Sequence, residues 1–418
     1  MFKKVLSVFI FGMFFFSLYP AEVTDVASSA DKNDPFDLNL DIQYLSTHHF
    51  GSIKREYNNY ADYVYEDDNG KPYYSTEGRR VETKEYEGNP ALYYMHKMLF
   101  DLEIGLYHNL SFSFGLPVVI SEQYKMVMFD TVNAPDSSTL AGQQLFPWAG
   151  NLDYEHKGIG DISFGLQWAP FSQERKNVFM SWLVGINITF PTASVKTPSG
   201  MNVKSKSPDG SDIIVPSGKA QSGVGDGLFK LDFRTAASKR YSTAEPYLQL
   251  LFSLPVNSSK SIYNDPKEAF TINTGTEIYL YENKNLGQVF KLRTDIEVMY
   301  TNKGDAYNAI ADARWVYDDN SLFAKLPVED PWVQISGMLK LSAQVWKYIE
   351  FGGFAKFGYR HKHYLTNAGM GSDSYIPGLD SELTPWIGNS DQKSKSGGRL
   401  LAEEYFVLDW GFDLKVLF

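Results

Sequence analysis

The chain has 418 residues, with 39 Lys and Arg against 50 Asp and Glu, a formal net charge of −11, and no cysteine. The acidic balance speaks against nucleic acid as a partner. The missing thiols exclude a lipoprotein anchor, a disulfide framework and thiolate metal sites. Beyond Leu18 no apolar run approaches the ~18 residues that mark a spanning helix, and no cofactor-binding signature is present.

Lys3 and Lys4 precede an apolar stretch from Val5 to Leu18, followed by small residues at Ala21 and at Ala27, Ser28, Ser29 and Ala30. Basic start, apolar middle and small-residue exit are the layout of a secretory signal peptide. The stretch is about 14 residues, short of the roughly 20 of a spanning helix. Residues 1–21 are therefore expected to be a leader, with Ala30 as the latest alternative cut. Residues 22–36 would follow as a periplasmic segment, long enough to enter a barrel from below.

From Asp37 onward, segments of period-two alternation recur, as half-buried strands require. In chain order they are Asp37–Thr47, Tyr93–Tyr107, Leu110–Glu122, Gly160–Pro170, Val178–Pro191, Gly227–Ala236, Pro246–Pro255, Glu268–Tyr281, Val289–Thr301, Pro331–Trp346, Ile349–His361 and Glu404–Phe418. The connections alternate in length. Short ones, such as His108-Asn109 and Lys347-Tyr348, follow every second strand; the others, from His48–Leu92 to Lys362–Glu403, are long. Short periplasmic turns against long outer loops are the asymmetry of a transmembrane barrel. The last strand ends on Phe418, which resembles the C-terminal signal read by the outer-membrane assembly machinery.

One face of each strand is apolar and the other polar. Phe290, Leu292, Ile296 and Val298 alternate with Lys291, Arg293, Asp295 and Glu297. Four ionic side chains in a row cannot sit in a dry sandwich core without large desolvation costs; they can line a wet lumen. The expected lining comprises Asp41, Asp101, Glu103, Asp161, Lys230, Asp232, Arg234, Glu277, Lys291, Arg293, Asp295, Glu297, Lys340, Lys356, Arg360, Asp409, Asp413 and Lys415. Its mixed signs fit a selectivity lining for a small solute, or a salt-bridged plug that conducts little. Trp168, Phe171, Tyr281, Trp346 and Tyr348 at the short-turn ends, with Tyr44, Tyr93, Phe190, Tyr300, Trp332 and Tyr359 near the long loops, read as two aromatic girdles.

Gly158-Ile-Gly-Asp161 recurs as Gly223-Val-Gly-Asp226. Each leads into a strand, so neither is a phosphate loop, which needs a helix N-terminus; both read as strand entries. The stretch Gly158 to Leu166 (GIGDISFGL), Phe190-Pro191-Thr192 and the second Gly-x-Gly-Asp resemble the outer-membrane family labelled "MetA-pathway of phenol degradation", over about Leu106 to Leu254. Phe-Pro-Thr-Ala stands where that family often has Pro-Thr-Gly. The resemblance implies a transporter barrel linked to small hydrophobic or aromatic compounds.

An outer-membrane phospholipase would need Ser, His and an orienting group at the lipid-facing outer rim. His361 and His363 lie near such a rim, but no serine shows a matching motif, so no catalytic residue is expected. The first long loop interleaves Tyr57, Tyr60, Tyr63, Tyr65, Tyr73, Tyr74 and Tyr86 with Glu66, Asp67, Asp68, Glu82, Glu85 and Glu87. That composition suits a solvated hairpin, partner contacts or a calcium ion. Phe146-Pro147-Trp148 and the stretch 199–218 are candidate constrictions.

The expectation is an all-β, closed antiparallel transmembrane barrel over 37–418 with about twelve strands, ten or fourteen being the alternatives. It would sit in the outer membrane, contacting lipid and passing a small-molecule solute without cofactor or metal. The rival reading is a surface receptor or adhesin on a plugged barrel.

Overall fold

In a computed structural model the alternating segments pair into one closed antiparallel barrel of twelve strands. The structure describes residues 21–29, 37–58, 64–66, 72–74, 81–84, 92–127, 151–173, 178–196, 202–206, 212–216, 223–283, 286–307, 317–318, 321–324, 326, 328–365 and 400–418. The barrel strands are β1 (Leu38–Asn58), β2 (Leu92–Tyr107), β3 (Leu110–Val127), β4 (Ile162–Phe171), β5 (Ser181–Phe190) and β6 (Leu228–Ser238). They continue as β7 (Ala244–Asn257), β8 (Ala269–Asn283), β9 (Gln288–Thr301), β10 (Trp332–Trp346), β11 (Ile349–Arg360) and β12 (Leu400–Leu417).

Each strand pairs with its chain neighbours, and β12 closes on β1 from Asn39↔Leu417 to Phe50↔Phe406. Reciprocal hydrogen bonds join Leu38 and Phe418 at the seam (Phe418 N to Leu38 O, 2.9 Å). Closure leaves no unpaired strand among these twelve, the condition a sheet must meet to cross a bilayer. Leu417 N also donates to Tyr348 O at 2.9 Å, so the chain's last strand ends at the level of the short turns. The His108-Asn109 turn has the positive φ (36°) at His108 that a two-residue hairpin demands.

Period two fixes the faces. Phe164 (39%), Leu166 (46%), Phe252 (38%), Leu339 (59%), Phe357 (56%) and Phe412 (61%) are exposed on the outside although large and apolar. A belt of this kind is stable only against lipid. Trp168, Phe171, Tyr281, Trp346 and Tyr348 are likewise exposed at the short-turn end, as a girdle requires. The upper girdle needs correction. Phe190, Tyr300 and Tyr359 point outward, but Trp332 is buried and Tyr93 donates to the lumen carboxylate Glu122. Both lie on the inward parity of their strands, which their aromatic character hid.

Several strands exceed their predicted bounds at the long-loop end. β1 continues to Asn58 and pairs there with Val81–Lys84. A separate strand, Asn151–Ile159, extends the pairing to β3 before the chain kinks at Gly160-Asp161 and enters β4. The first loop is thus partly an extended hairpin. Most of its tyrosines and acids, Phe146-Pro147-Trp148 and much of 199–218 lie outside the described residues.

Candidate functional site: a plugged lumen

The inner wall at the short-turn end carries an apolar patch, Ala169, Leu183, Ala236 and Tyr247. Against it pack Ala21, Val23 and Val26 from the N-terminal segment. Residues 21–29 therefore run inside the barrel. A segment without regular structure can lie there only if its backbone groups find partners, and they do. Ala21 N donates to Glu245 Oε1 (2.6 Å) and Glu22 N to Glu277 Oε1 (2.8 Å). Val23 O accepts from Arg234 (2.7 Å), and Ala27 N donates to Glu103 (3.2 Å). Ser28 O accepts from Asp37 N (2.9 Å), and Ser29 O from His108 N (2.7 Å). Gly105 makes the approach possible: a Cβ there would stand 2.0 Å from Ser28 O.

The Glu22 side chain is the electrostatic centre of this plug. Its carboxylate accepts from Lys415 (2.5 Å), Lys340 (2.9 Å) and Arg293 (3.3 Å). These cations come from β12, β10 and β9, so one carboxylate ties three strands together across the lumen. Burial pushes the Glu22 carboxyl up, but the Lys415, Lys340 and Arg293 charges outweigh it and hold it well below the usual carboxylate range.

The other predicted lining residues mostly face inward and pair with one another. Lys340 also reaches Asp413 (3.2 Å), Arg293 reaches Asp295 (2.8 Å), and Lys356 reaches Glu297 (2.6 Å). Lys291 lies between Glu350 (3.7 Å) and Glu277 (3.9 Å). Glu103 accepts from Ser111 and Asp232 from Ser253, each at 2.5 Å. Asp41, Asp101 and Asp409 share the inward parity, with Asp41↔Asp101, Asp41↔Lys415 and Lys356↔Asp409 directly opposed. Glu22, Glu245, Tyr247 and Glu350 were not anticipated. Glu350 was legible, since it shares the parity of Lys356 and Arg360. Glu245 read as part of a turn, and Glu22 lies in no strand.

Asp161 and Lys230 belong to a knot at the long-loop end. Asp161 Oδ1 accepts Ala193 N (2.8 Å), Thr192 Oγ1 accepts Ile162 N (3.0 Å), and Ser194 O accepts Gly225 N (2.9 Å). Asp226 pairs with Lys230 at 2.7 Å. The two Gly-x-Gly-Asp motifs and the segment after Phe190 thus meet at one place. Gly223 is required there because a Cβ would lie 2.3 Å from Val195 O. Strand entry is what these residues do.

Above the plug the lumen turns aromatic. Arg360 lies over Trp332 (3.8 Å) and Tyr405 (4.6 Å) and donates to Gln334. His49 contacts Tyr405 OH at 2.7 Å, and its ring lies tilted by 42° against Tyr93, centroids 4.6 Å apart. Lys267 donates to Glu329 at 2.7 Å, and His363 Nε2 lies 2.8 Å from the same carboxylate. Burial raises Glu329, but contact with His363 and the Lys267, His363 and Arg360 charges bring it down to about 2.

A Ser–His contact does occur on the outward face, which sequence reading missed. Ser46 Oγ and His48 Nε2 are 2.8 Å apart. Ser46 is wholly covered (0% exposed), opposite Trp410 and His96, so its hydroxyl cannot meet a lipid ester. His361 and His363 engage Lys362 O and Glu329. Among the described residues no cluster of His, Asp and Glu has metal-binding geometry.

No family model matches the chain, and no curated protein does. Among solved structures it is similar to the COG4313 outer membrane channel from Pseudomonas putida F1, at 9% identity and TM-score 0.44, covering 96% of this chain and 100% of that one. It is also similar to a Pseudomonas aeruginosa FadL homologue (8% identity, TM-score 0.37, 91% and 90%). A third is the CymD monoaromatic hydrocarbon channel (12% identity, TM-score 0.31, 96% and 91%). The barrel itself rests on the strand pairing described above.

Proposed function

We propose that this chain is an outer-membrane channel for small molecules, of the type linked to hydrophobic or aromatic compounds, working without a cofactor. The observation that carries the reading is that the obstruction is separable from the wall. The lower lumen is filled by residues 21–29, a segment outside the barrel strands, held by ion pairs and one apolar patch. Displacing it would leave the wall pairing intact. The aromatic side chains of the upper lumen, Trp332, Tyr405, Tyr93 and His49, suit a flat or apolar solute better than a strongly hydrated ion. The assembly of GIGDISFGL, Phe190-Pro191-Thr192 and Gly223 to Asp226 at one knot supports the "MetA-pathway" resemblance. Phe418, exposed at the last strand's end, is the residue an assembly machinery would read.

Single-channel recording of the refolded protein in a planar bilayer tests this. Wild type should show a mostly closed state with discrete steps, and Glu22→Gln a larger open fraction. Neutralising Lys291 and Arg293 together should shift ion selectivity. Folded protein that stays silent in all three forms would overturn the channel reading.

A further inference from the structure

Arg360 is the inward cation at the top of β11, and it stands apart from those below it. Lys291, Arg293, Lys340, Lys356 and Lys415 on β9 to β12 each meet an acid. Among the described residues no carboxylate lies within 4.0 Å of Arg360. Glu329, whose charge reaches it, is already held by Lys267 at 2.7 Å and His363 at 2.8 Å. A guanidinium carries five N–H donors in a fixed fork. Gln334 Oε1 takes one edge of that fork, from Nε at 3.3 Å and Nη2 at 3.2 Å. The other edge, between Nη1 and Nη2, has no acceptor among the described residues. The surroundings are aromatic. The guanidinium lies over Trp332 and Tyr405, and Tyr405 leads through His49 to Tyr93, with ring centroids 5.4 and 4.6 Å apart. These rings stand on β10, β12, β1 and β2, which with β11 are successive strands of the wall, so they form one arc on the inner face.

We propose that the upper lumen is a binding site for an aromatic carboxylate, its carboxylate on the open edge of Arg360 and its ring against the arc of Trp332, Tyr405, His49 and Tyr93. A carboxylate matches two parallel guanidinium N–H donors, and the ring beside it gains contact with aromatic faces in place of water. Gln334, itself buried, fixes the guanidinium plane from the opposite edge, so little side-chain freedom is lost on binding. An uncharged aromatic solute would leave the Arg360 edge empty, and a small anion without a ring would leave the arc uncovered. An aromatic acid uses both. The cations that meet in the lower lumen offer no equal site, because Glu22 already occupies Lys415, Lys340 and Arg293. The inference deepens the channel reading and rests on it, since the acid is the solute that occupies the passage.

The test is equilibrium dialysis of radiolabelled benzoate at neutral pH against the full chain in lipid nanodiscs, with empty nanodiscs subtracted. Benzoate should bind saturably. Benzyl alcohol keeps the ring without the charge, and acetate keeps the charge without the ring; each should compete at least about tenfold more weakly than unlabelled benzoate. Arg360→Gln should weaken benzoate by about tenfold or more. Arg360→Lys, with the charge but not the fork, should fall between it and wild type. Absence of saturable binding in wild type overturns the site. So does either competitor matching benzoate, or undiminished binding in either variant. Where Arg360→Gln does not fold, the lysine variant and the two competitors decide. The channel reading fails separately: conductance steps without benzoate binding overturn the site alone, and benzoate held by a barrel that never conducts supports the site and overturns passage.

Discussion

Removing the Glu22 charge should loosen the plug without opening the wall. In Glu22→Gln the Lys415, Lys340 and Arg293 contacts lose their anion. Hydrogen bonds to charged groups are worth ~1.5–3 kcal/mol each, so three would suggest a very large loss. Two of the cations keep another acid, however: Lys340 has Asp413 at 3.2 Å and Arg293 has Asp295 at 2.8 Å. Lys415 alone loses its short partner. The glutamine also keeps some hydrogen bonding. The net cost of undocking therefore falls by about 3 kcal/mol, the low end for breaking a buried pair, which is roughly a hundredfold in the docked-to-undocked ratio. The chain has no cysteine, so Val23→Cys, at a position 3% exposed, gives a single reporter. Its labelling by a water-soluble maleimide, normalised to unfolded protein, reads the undocked fraction. The expected acceleration in the Glu22→Gln background is about a hundredfold, with the strand amides equally protected from hydrogen exchange. Labelling changed by less than about threefold would refute the ionic account and leave the apolar patch and the hydrogen bonds to the segment's backbone as the anchors.

Gly105→Ala attacks the same docking sterically, since its Cβ would lie 2.0 Å from Ser28 O; it should accelerate Val23→Cys labelling with every ionic contact retained. Asp161→Ala should expose the knot, leaving Ala193 N without its acceptor, at a cost of about 1–3 kcal/mol seen as protease cleavage after Phe190. Burial raises Asp226, but the Lys230 and Lys196 charges bring it down to about 2, where Glu329 also lies. A carboxylate depressed on folding stabilises above its unfolded value and loses that contribution as pH falls toward its folded value. The segments around both residues should therefore gain protease sensitivity between about pH 4.5 and 2 while the barrel strands stay protected; unchanged protection at pH 2 would refute it.

The barrel was legible because two independent periods agree. Side chains alternate every residue along a strand, and connections alternate in length from strand to strand. Together they gave the twelve strands, the end at which Phe418 sits, and the inward parity of Lys291, Arg293, Asp295 and Glu297. What failed were positions where side-chain type and parity disagree. Trp332 and Tyr93 were assigned to a girdle by aromaticity, although their parity turns them inward to Arg360 and Glu122. The strand extensions of β1, β3 and β12 were hidden because, beyond the lipid belt, neither face needs to be apolar.

The lumen posed a different problem. Alternation tells which charges point inward but not which meet, because partners across a barrel are remote in the chain. Glu22 is 271 residues from Arg293, 318 from Lys340 and 393 from Lys415. The balanced lining fits a selectivity lining and a salt-bridged plug alike, and does not tell which acid the wall cations meet. The structure shows instead that its cations on β9, β10 and β12 converge on an acid delivered by the N-terminal segment, while acids on β7 and β8 receive that segment's backbone N–H groups. Both sets meet the same few residues. Withdrawing the segment would therefore unbalance cations and acids at once, and this two-sided complementarity, more than the apolar patch, sets the register in which residues 21–29 dock.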